Sequence, residues 1–192
     1  AFVLVSTDSI TPYNPTFSWN TNGNSGTNPY VNFLGTSDNK GFMIRTLGNR
    51  SGYIDRIHYS SSWGIEALNT NAGSNNNAIG YGAGFLNSTG SDNNYLGNAA
   101  GYVNTTGSRN TAIGGAALYT NIDGDNNTAI GYRSLLSNLA SGNTSIGYES
   151  LMLNTTGDGN TAVGNNALNR NTTANNSTAV GEQSLNRNTT GE

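Results

Sequence analysis

From Asn76 onward the apolar positions recur as a triplet in which a small residue precedes Ile or Val and then Gly. It stands as Ala78-Ile79-Gly80, Ala112-Ile113-Gly114, Ala129-Ile130-Gly131, Ser145-Ile146-Gly147, Ala162-Val163-Gly164 and Ala179-Val180-Gly181, with Tyr95-Leu96-Gly97 as the second copy. Successive Gly residues lie 17, 17, 17, 16, 17 and 17 positions apart, the short step falling near Ala140-Ser141-Gly142. Seven residues after each Gly stands an Asn: Asn87, Asn104, Asn121, Asn138, Asn154, Asn171 and Asn188. A small residue lies three after the Gly, and Leu118, Leu135, Leu151, Leu168 and Leu185 follow it in the last five copies. The first two copies have Gly84-Phe85 and Gly101-Tyr102 there, which reads as a bulky position shifted by one.

A unit this short excludes the helical repeats at about 33 residues and propeller blades at about 40. Gly or Asn every few residues excludes a helix longer than a turn. Thr-Ala-Ile-Gly-Tyr predicts a short strand, Ala-Leu-x-x-Asn a second one, and Asn-Thr-Thr-Gly a turn. Stacked coils of this kind make an all-β fold, a β-roll or β-solenoid of about seven 17-residue coils paired in parallel at about 4.8 Å. Identical Asn side chains at that spacing predict a hydrogen-bonded ladder. The Thr column at Thr111, Thr128, Thr144, Thr161 and Thr178 predicts a weaker one.

Side chains alternate along a strand, so Ala and Gly face one way and Thr, Ile and Tyr the other. The Ala column suits the inside of a thin roll. The Ile and Leu columns then need a second cover, because a strand apolar on both faces is normally covered on both. Two large aliphatic residues per coil make little private core. Parallel association of like columns meets this need; three-fold packing of identical chains into a homotrimer, closed by cyclic symmetry, is the expected form, and a two-fold dimer satisfies the same logic.

Composition narrows the function. Only 10% of the 192 residues are charged, there is no Cys, and Asn alone fills 34 positions. Such polar bias suggests a low-complexity tract, but the strict period argues for order. Without Cys there is no disulfide framework and no thiolate ligand or nucleophile. A net charge of -3 with scattered signs leaves no basic surface for nucleic acid. No stretch reaches the roughly 18 apolar residues of a membrane-spanning helix, and Ala1 to Val5 is too short for a signal peptide. A start without Met and an end inside the pattern predict an excerpt of a longer chain.

Residues 1–70 do not repeat and read as a β-rich cap or connector before an array at 71–192. Strands are expected at Val31 to Leu34, Gly41 to Leu47, Ser51 to Tyr59 and Ile65 to Leu68, with turns at Leu47 to Arg50 and Ser60 to Gly64. The open end of a β-stack needs covering, and Trp63 and Phe85 are the expected plug. Tyr13, Trp19 and Tyr30 offer the alternative of a sugar-stacking surface.

No catalytic, cofactor or metal site emerges. His58, the sole imidazole, has only Asp55 nearby and no further partner. Asp123-Gly124-Asp125 resembles a calcium loop but is not repeated from coil to coil. Glycoside cleavage needs converging acids, and these are dispersed, although a trimer brings copies of Glu149 or Glu182 together. The Asn-x-Ser/Thr sequons fall out of the repeat and are not read as glycan sites.

The Asn-Thr-Ala-Ile-Gly unit resembles the left-handed β-roll head repeats of YadA-like trimeric autotransporter adhesins, whose repeat is shorter, near 14 residues. It is more similar to repeat-bearing fibre and surface proteins of Bacteroidetes and their phages, in which segments like Asn32 to Asn39, Gly41 to Thr46 and Gly52 to Asp55 precede the array. The resemblance implies an extracellular trimeric fibre at a virion or bacterial cell surface. Its partners would be further copies of itself, a glycan or protein receptor, and fibre, baseplate, capsid or anchor proteins, with no enzymatic activity, no cofactor and no membrane insertion. A β-helical polysaccharide depolymerase is the alternative, and an ice-binding solenoid a third.

Overall fold

The computed structural model describes residues 39–191, which fall within one unit of the chain, Asp38–Glu192. Every regular element among them is a strand. β1 (Phe42–Thr46) and β2 (Asn49–Asp55) form a hairpin, and β3 (Ser60–Trp63) pairs antiparallel to β2. Seven three-residue strands follow: β4 (Asn77–Ile79), β5 (Asn94–Leu96), β6 (Thr111–Ile113), β7 (Thr128–Ile130), β8 (Thr144–Ile146), β9 (Thr161–Val163) and β10 (Thr178–Val180). From β3 to β10 all pairing is parallel and in sequence order, so the chain winds as a β-solenoid. Seven turns from Gly64 to Gly181 at about 4.8 Å each rise roughly 34 Å.

The winding starts one unit earlier than the Asn76 pattern. Ser62-Trp63-Gly64 pairs in register with Ala78-Ile79-Gly80, followed at the same offsets by Ala67, Leu68 and Asn71. Ser60 to Ser62 is therefore a strand rather than a turn. Its polar residues have poor strand propensity, but Ser60 and Ser62 are small enough to occupy interior positions, and packing overrides propensity. Ile65 to Leu68 is correspondingly a turn, not a strand. The expected strand at Val31 to Leu34 lies outside the described residues, as do Tyr13, Trp19 and Tyr30.

Each coil holds one strand, not two. Ala-Leu-x-x-Asn runs as turns because the residues on either side of its Ala take positive φ, as Ala116 (54°) and Leu118 (53°) do around Ala117. Its backbone still bonds to the next coil: the Leu118 N–H donates to the Ser134 carbonyl at 2.9 Å and the Thr120 N–H to that of Leu136 at 3.1 Å. A left-handed Leu costs about 1–2 kcal/mol. Leu118, Leu135, Leu151 and Leu168 are each 0% exposed, and burial of a Leu contributes about 1.5–3 kcal/mol, which offsets the strain. From Leu118 to Leu168 the Leu column thus lies inside its own chain and needs no second cover, while Leu185 in the last described coil is 53% exposed.

The signature Gly residues close each strand at φ between +120° and +140°. A Cβ on Gly131 would overlap the carbonyl of Gly147 in the next coil, so both conformation and rung contact require Gly there.

The interior is filled by Ala, Leu and two Asn columns. In the column seven after Gly, Asn104 Nδ2 donates to Asn87 Oδ1 and Asn121 Nδ2 to Asn104 Oδ1, both at 2.9 Å. The same groups also donate to the Gly carbonyls of their own turns, such as Gly107. The second column is Asn76, Asn93, Asn110, Asn127, Asn143 and Asn160, all 0% exposed. Here Asn110 Oδ1 accepts from the Asn127 N–H at 2.9 Å, and Asn110 Nδ2 donates to the Gly124 carbonyl at 2.8 Å. Buried amides satisfied at both ends contribute, whereas one left unpaired would cost about 1–3 kcal/mol. The Thr column does not form a ladder: among the described residues no side-chain hydrogen bond joins Thr111, Thr128, Thr144, Thr161 and Thr178. At that position only the first rungs do so, through Ser61, Asn77 and Asn94.

One coil pair departs from the rule. Tyr95 occupies an Ala position and is 2% exposed. A Cβ on Gly84 would meet its Cδ2 at 2.6 Å, and one on Gly101 would overlap its ring. Tyr95 therefore replaces the two Leu side chains these coils lack. Phe85 and Tyr102 are not shifted Leu residues. They begin a separate outer stack, Phe85–Tyr102–Tyr119, with centroids 4.9 and 5.3 Å apart.

Candidate functional site

The outward position before each Gly carries Trp63, Ile79, Leu96, Ile113, Ile130, Ile146, Val163 and Val180. Strand alternation turns these residues away from the buried Ala column. Ile79 is 52% exposed, Leu96 46% and Ile146 38%, with Ile130 and Val163 half-buried. The antiparallel strands extend the line, because the Trp63 ring lies over Gly52, which in turn pairs with Ile44. The result is one straight apolar stripe at rung spacing. Trp63 belongs to this stripe, and Phe85 to the outer stack, so neither plugs the end of the coil.

Beside the stripe, after the Gly, stand exposed Tyr81, Tyr132 and Tyr148, the last two stacked at 5.7 Å. The Glu66 carboxylate near Tyr81 and the Glu149 carboxylate near Tyr148 push those phenols upward. Burial pushes Tyr95 up, and its hydroxyl has no partner. The faces of the stacked rings are turned to one another, so a sugar ring stacking on them would meet edges everywhere except at the ends of each stack.

The acids are mostly engaged. Arg109 Nη2 lies 3.1 Å from Asp125 Oδ2, and Asp125 Oδ1 accepts from the Ser108 N–H at 2.7 Å. Arg133 lies 3.6 Å from Glu149. Asp55 Oδ2 meets His58 Nδ1 at 2.7 Å while its Oδ1 accepts from the N–H groups of Ile57 and His58. Burial pushes the Asp55 carboxyl up, but these hydrogen bonds outweigh it and hold it below its ordinary value. Among the described residues no cluster of three His, Cys, Asp or Glu could hold a metal ion, and no helix is long and apolar enough to cross a membrane.

At the first turn, Arg50 Nη2 donates to the carbonyls of Ala67 (2.7 Å) and Leu68. In later turns the carbonyl equivalent to Ala67 accepts from the preceding coil, as Ala83 does from Leu68 at 2.9 Å. Arg50 thus supplies the donor that a missing coil would have supplied. It also lies 5.5 Å over the Tyr53 ring.

Of the positions singled out in the sequence, the Gly and Asn columns serve the fold and the Ile column forms the outer stripe. The second Asn column, the turn beginning at Gly64 and the Tyr95 exchange were missed. No family model matches the chain, and no curated protein and no solved structure matches it either.

Proposed function

We propose that this chain is a segment of a homotrimeric fibre, shaft or head, that stands outside the cell on a virion or bacterial surface and contributes to receptor binding. The carrying observation is the apolar stripe from Trp63 to Val180, in register and exposed in the single chain except at Ile130 and Val163, which are half-buried. A row of large apolar side chains at about 4.8 Å spacing is matched rung for rung by another copy of itself. Parallel copies closed by cyclic symmetry bury it without leaving a growing end. The hairpin β1–β2 with β3 is the cap of this reading: Arg50 satisfies the first carbonyls of the winding and the antiparallel strands cover its sheet edge. Rigidity and copy number would supply the function, since linked weak sites raise avidity without new contacts.

Light scattering on the full chain tests it. The expected molar mass is three times the 20.0 kDa chain. Ile130→Asp places a charge in the middle of the stripe and is expected to yield monomer, whereas Asp125→Ala leaves the mass unchanged. A stable monomer of the unmodified chain refutes the proposal.

A further inference from the structure

The coil from Gly131 to Gly147 is one residue short, and its shortened corner opens a slot of about 350 Å³. That volume is at the lower end of the roughly 300–1,000 Å³ of small-molecule sites. Buried Gly124 and Ala140 lie at its floor, with Asp123, Leu139, Ser141, Thr156 and Asp158 around them. In regular coils this corner is closed by two rung bonds: the N–H groups of Thr105 and Thr106 both donate to the Ile122 carbonyl at 2.8 and 3.1 Å, and those of Thr155 and Thr156 to that of Thr172. Where the short coil lies next, the pair is missing. Among the described residues the N–H groups of Ile122 and Asp123 and the carbonyl of Leu139 take no hydrogen-bond partner. The missing residue thus releases one donor, the Asp123 N–H, and one acceptor, the Leu139 carbonyl, from residues that line the slot, with the Ile122 N–H adjacent to Asp123 in the chain. The same corner carries the Asp123 carboxylate and the Thr156 hydroxyl, with the exposed aliphatic side chain of Leu139 beside them.

We infer that this slot binds a neutral sugar residue, whose adjacent hydroxyls both donate and accept and whose C–H face packs on Leu139. Asp123 and Asp158 on its walls select against anionic sugars by like-charge repulsion and desolvation. Asp158 Oδ1 also accepts from the Ser141 N–H at 2.8 Å, which fixes that wall. The inference rests on the reading of the chain as a receptor-contacting surface segment and names the ligand class. An open slot that covers only part of a sugar binds it weakly, and copies on one fibre would add avidity.

Saturation-transfer difference NMR on the full chain, with galactose, N-acetylglucosamine and glucuronic acid as probes, tests it. Saturation transfer to at least one neutral sugar and none to glucuronic acid is expected. Inserting Thr between Leu139 and Ala140 restores a 17-residue coil and should abolish the transfer. Asp123→Ala, at an exposed residue whose side chain makes no hydrogen bond, should weaken binding at least tenfold with unchanged circular dichroism. Transfer to neither neutral sugar, equal transfer to glucuronic acid, or binding that survives both variants would overturn the assignment. Release of reducing ends from an oligosaccharide would overturn it in favour of hydrolysis. The molar mass separates the two readings: a trimer without sugar transfer refutes the slot alone, and a monomer that binds sugar refutes the fibre alone.

Discussion

Replacing Tyr95 with Ala would empty a space that no neighbour can fill, because the positions beside it are Gly84 and Gly101. Truncating a buried aromatic residue costs about 3–5 kcal/mol. The Tyr95 hydroxyl is buried without a partner, and its removal recovers about 1–3 kcal/mol. The net expectation is a loss of about 2 kcal/mol, or roughly 4–8 °C in Tm for a chain of this length. The repair follows from the regular coils. Gly84 and Gly101 have φ of 59° and 61°, the region where Leu118 sits at 53°, so Leu fits both backbones. With Tyr95 in place, Gly101→Leu would drive a side chain into its ring and cost about 1–3 kcal/mol. In the Tyr95→Ala background, each Leu gains about 1.5–3 kcal/mol of burial against about 1–2 kcal/mol of left-handed strain. The Leu substitution should therefore be better tolerated, and at the centre of these ranges stabilising, once position 95 is Ala, a coupling of about 0.5–5 kcal/mol. Thermal unfolding of Tyr95→Ala, Gly101→Leu, their combination, and the triple variant with Gly84→Leu measures this. Equal destabilisation by Gly101→Leu in both backgrounds would refute the size exchange.

Three further outcomes follow from the same geometry. Gly131→Ala should unfold the middle coils, since its Cβ would overlap the Gly147 carbonyl. By contrast Gly142→Asn, at φ 70° with nothing nearer than 3.9 Å to an added Cβ, should match or exceed the parent by up to about 1 kcal/mol in denaturant titration. Asn110→Ala strands the Asn127 N–H and the Gly124 carbonyl and should cost about 2–6 kcal/mol, whereas Thr128→Ala, at a side chain that makes no hydrogen bond, should cost under about 1 kcal/mol. Similar losses for the two would revive a Thr ladder. Asp55 is held below its ordinary value of 3.8, so its stabilisation is complete above that value and is lost as pH falls through the lowered one. Trp63 fluorescence should report loosening of the β2–β3 connection only in that acid range, and Asp55→Asn should remove the pH dependence.

The period, the strand at each Ala-Ile-Gly triplet and the inward Ala column could be read from the sequence because each is stated repeatedly in one chain, whereas the second strand expected at Ala-Leu-x-x-Asn is a run of turns. What escaped was the first turn, where Ser62-Trp63-Gly64 lacks the Asn-Thr-Ala-Ile-Gly wording, although the offsets to Ala67, Leu68 and Asn71 were available as a signal. The Leu column was placed outside because alternation was extended past the strand. A run with positive φ at Ala116 and Leu118 does not alternate, and it turns the Leu inward. The Tyr95 exchange was hidden because its compensation lies in the two flanking coils, at Gly84 and Gly101. The stripe was legible as a column of Ile residues. The slot was not, since a spacing of 16 says that a residue is missing but not which rung bonds are lost with it.

The short coil also shows how the corner of the winding can change in length without disturbing the outer apolar stripe. Across the deletion the strands keep their pairing, Thr128 with Thr144, Ala129 with Ser145 and Ile130 with Ile146. Both Asn columns also continue across it, through Asn143 to Asn127 at 3.0 Å and Asn154 to Asn138 at 2.8 Å. The whole change is taken up at the corner, where Asn138 Nδ2 reaches the carbonyl of Ala140 two residues on instead of three. Asn71 does the same with Gly73 in the first turn, which is also 16 residues long. The interior ladders and the outer stripe therefore share one strict rise, while the corner tolerates a change in length. An insertion or deletion there alters local donors and acceptors and leaves the stripe in register. A similar change within the strand triplet would turn Ile inward and Ala outward in that rung.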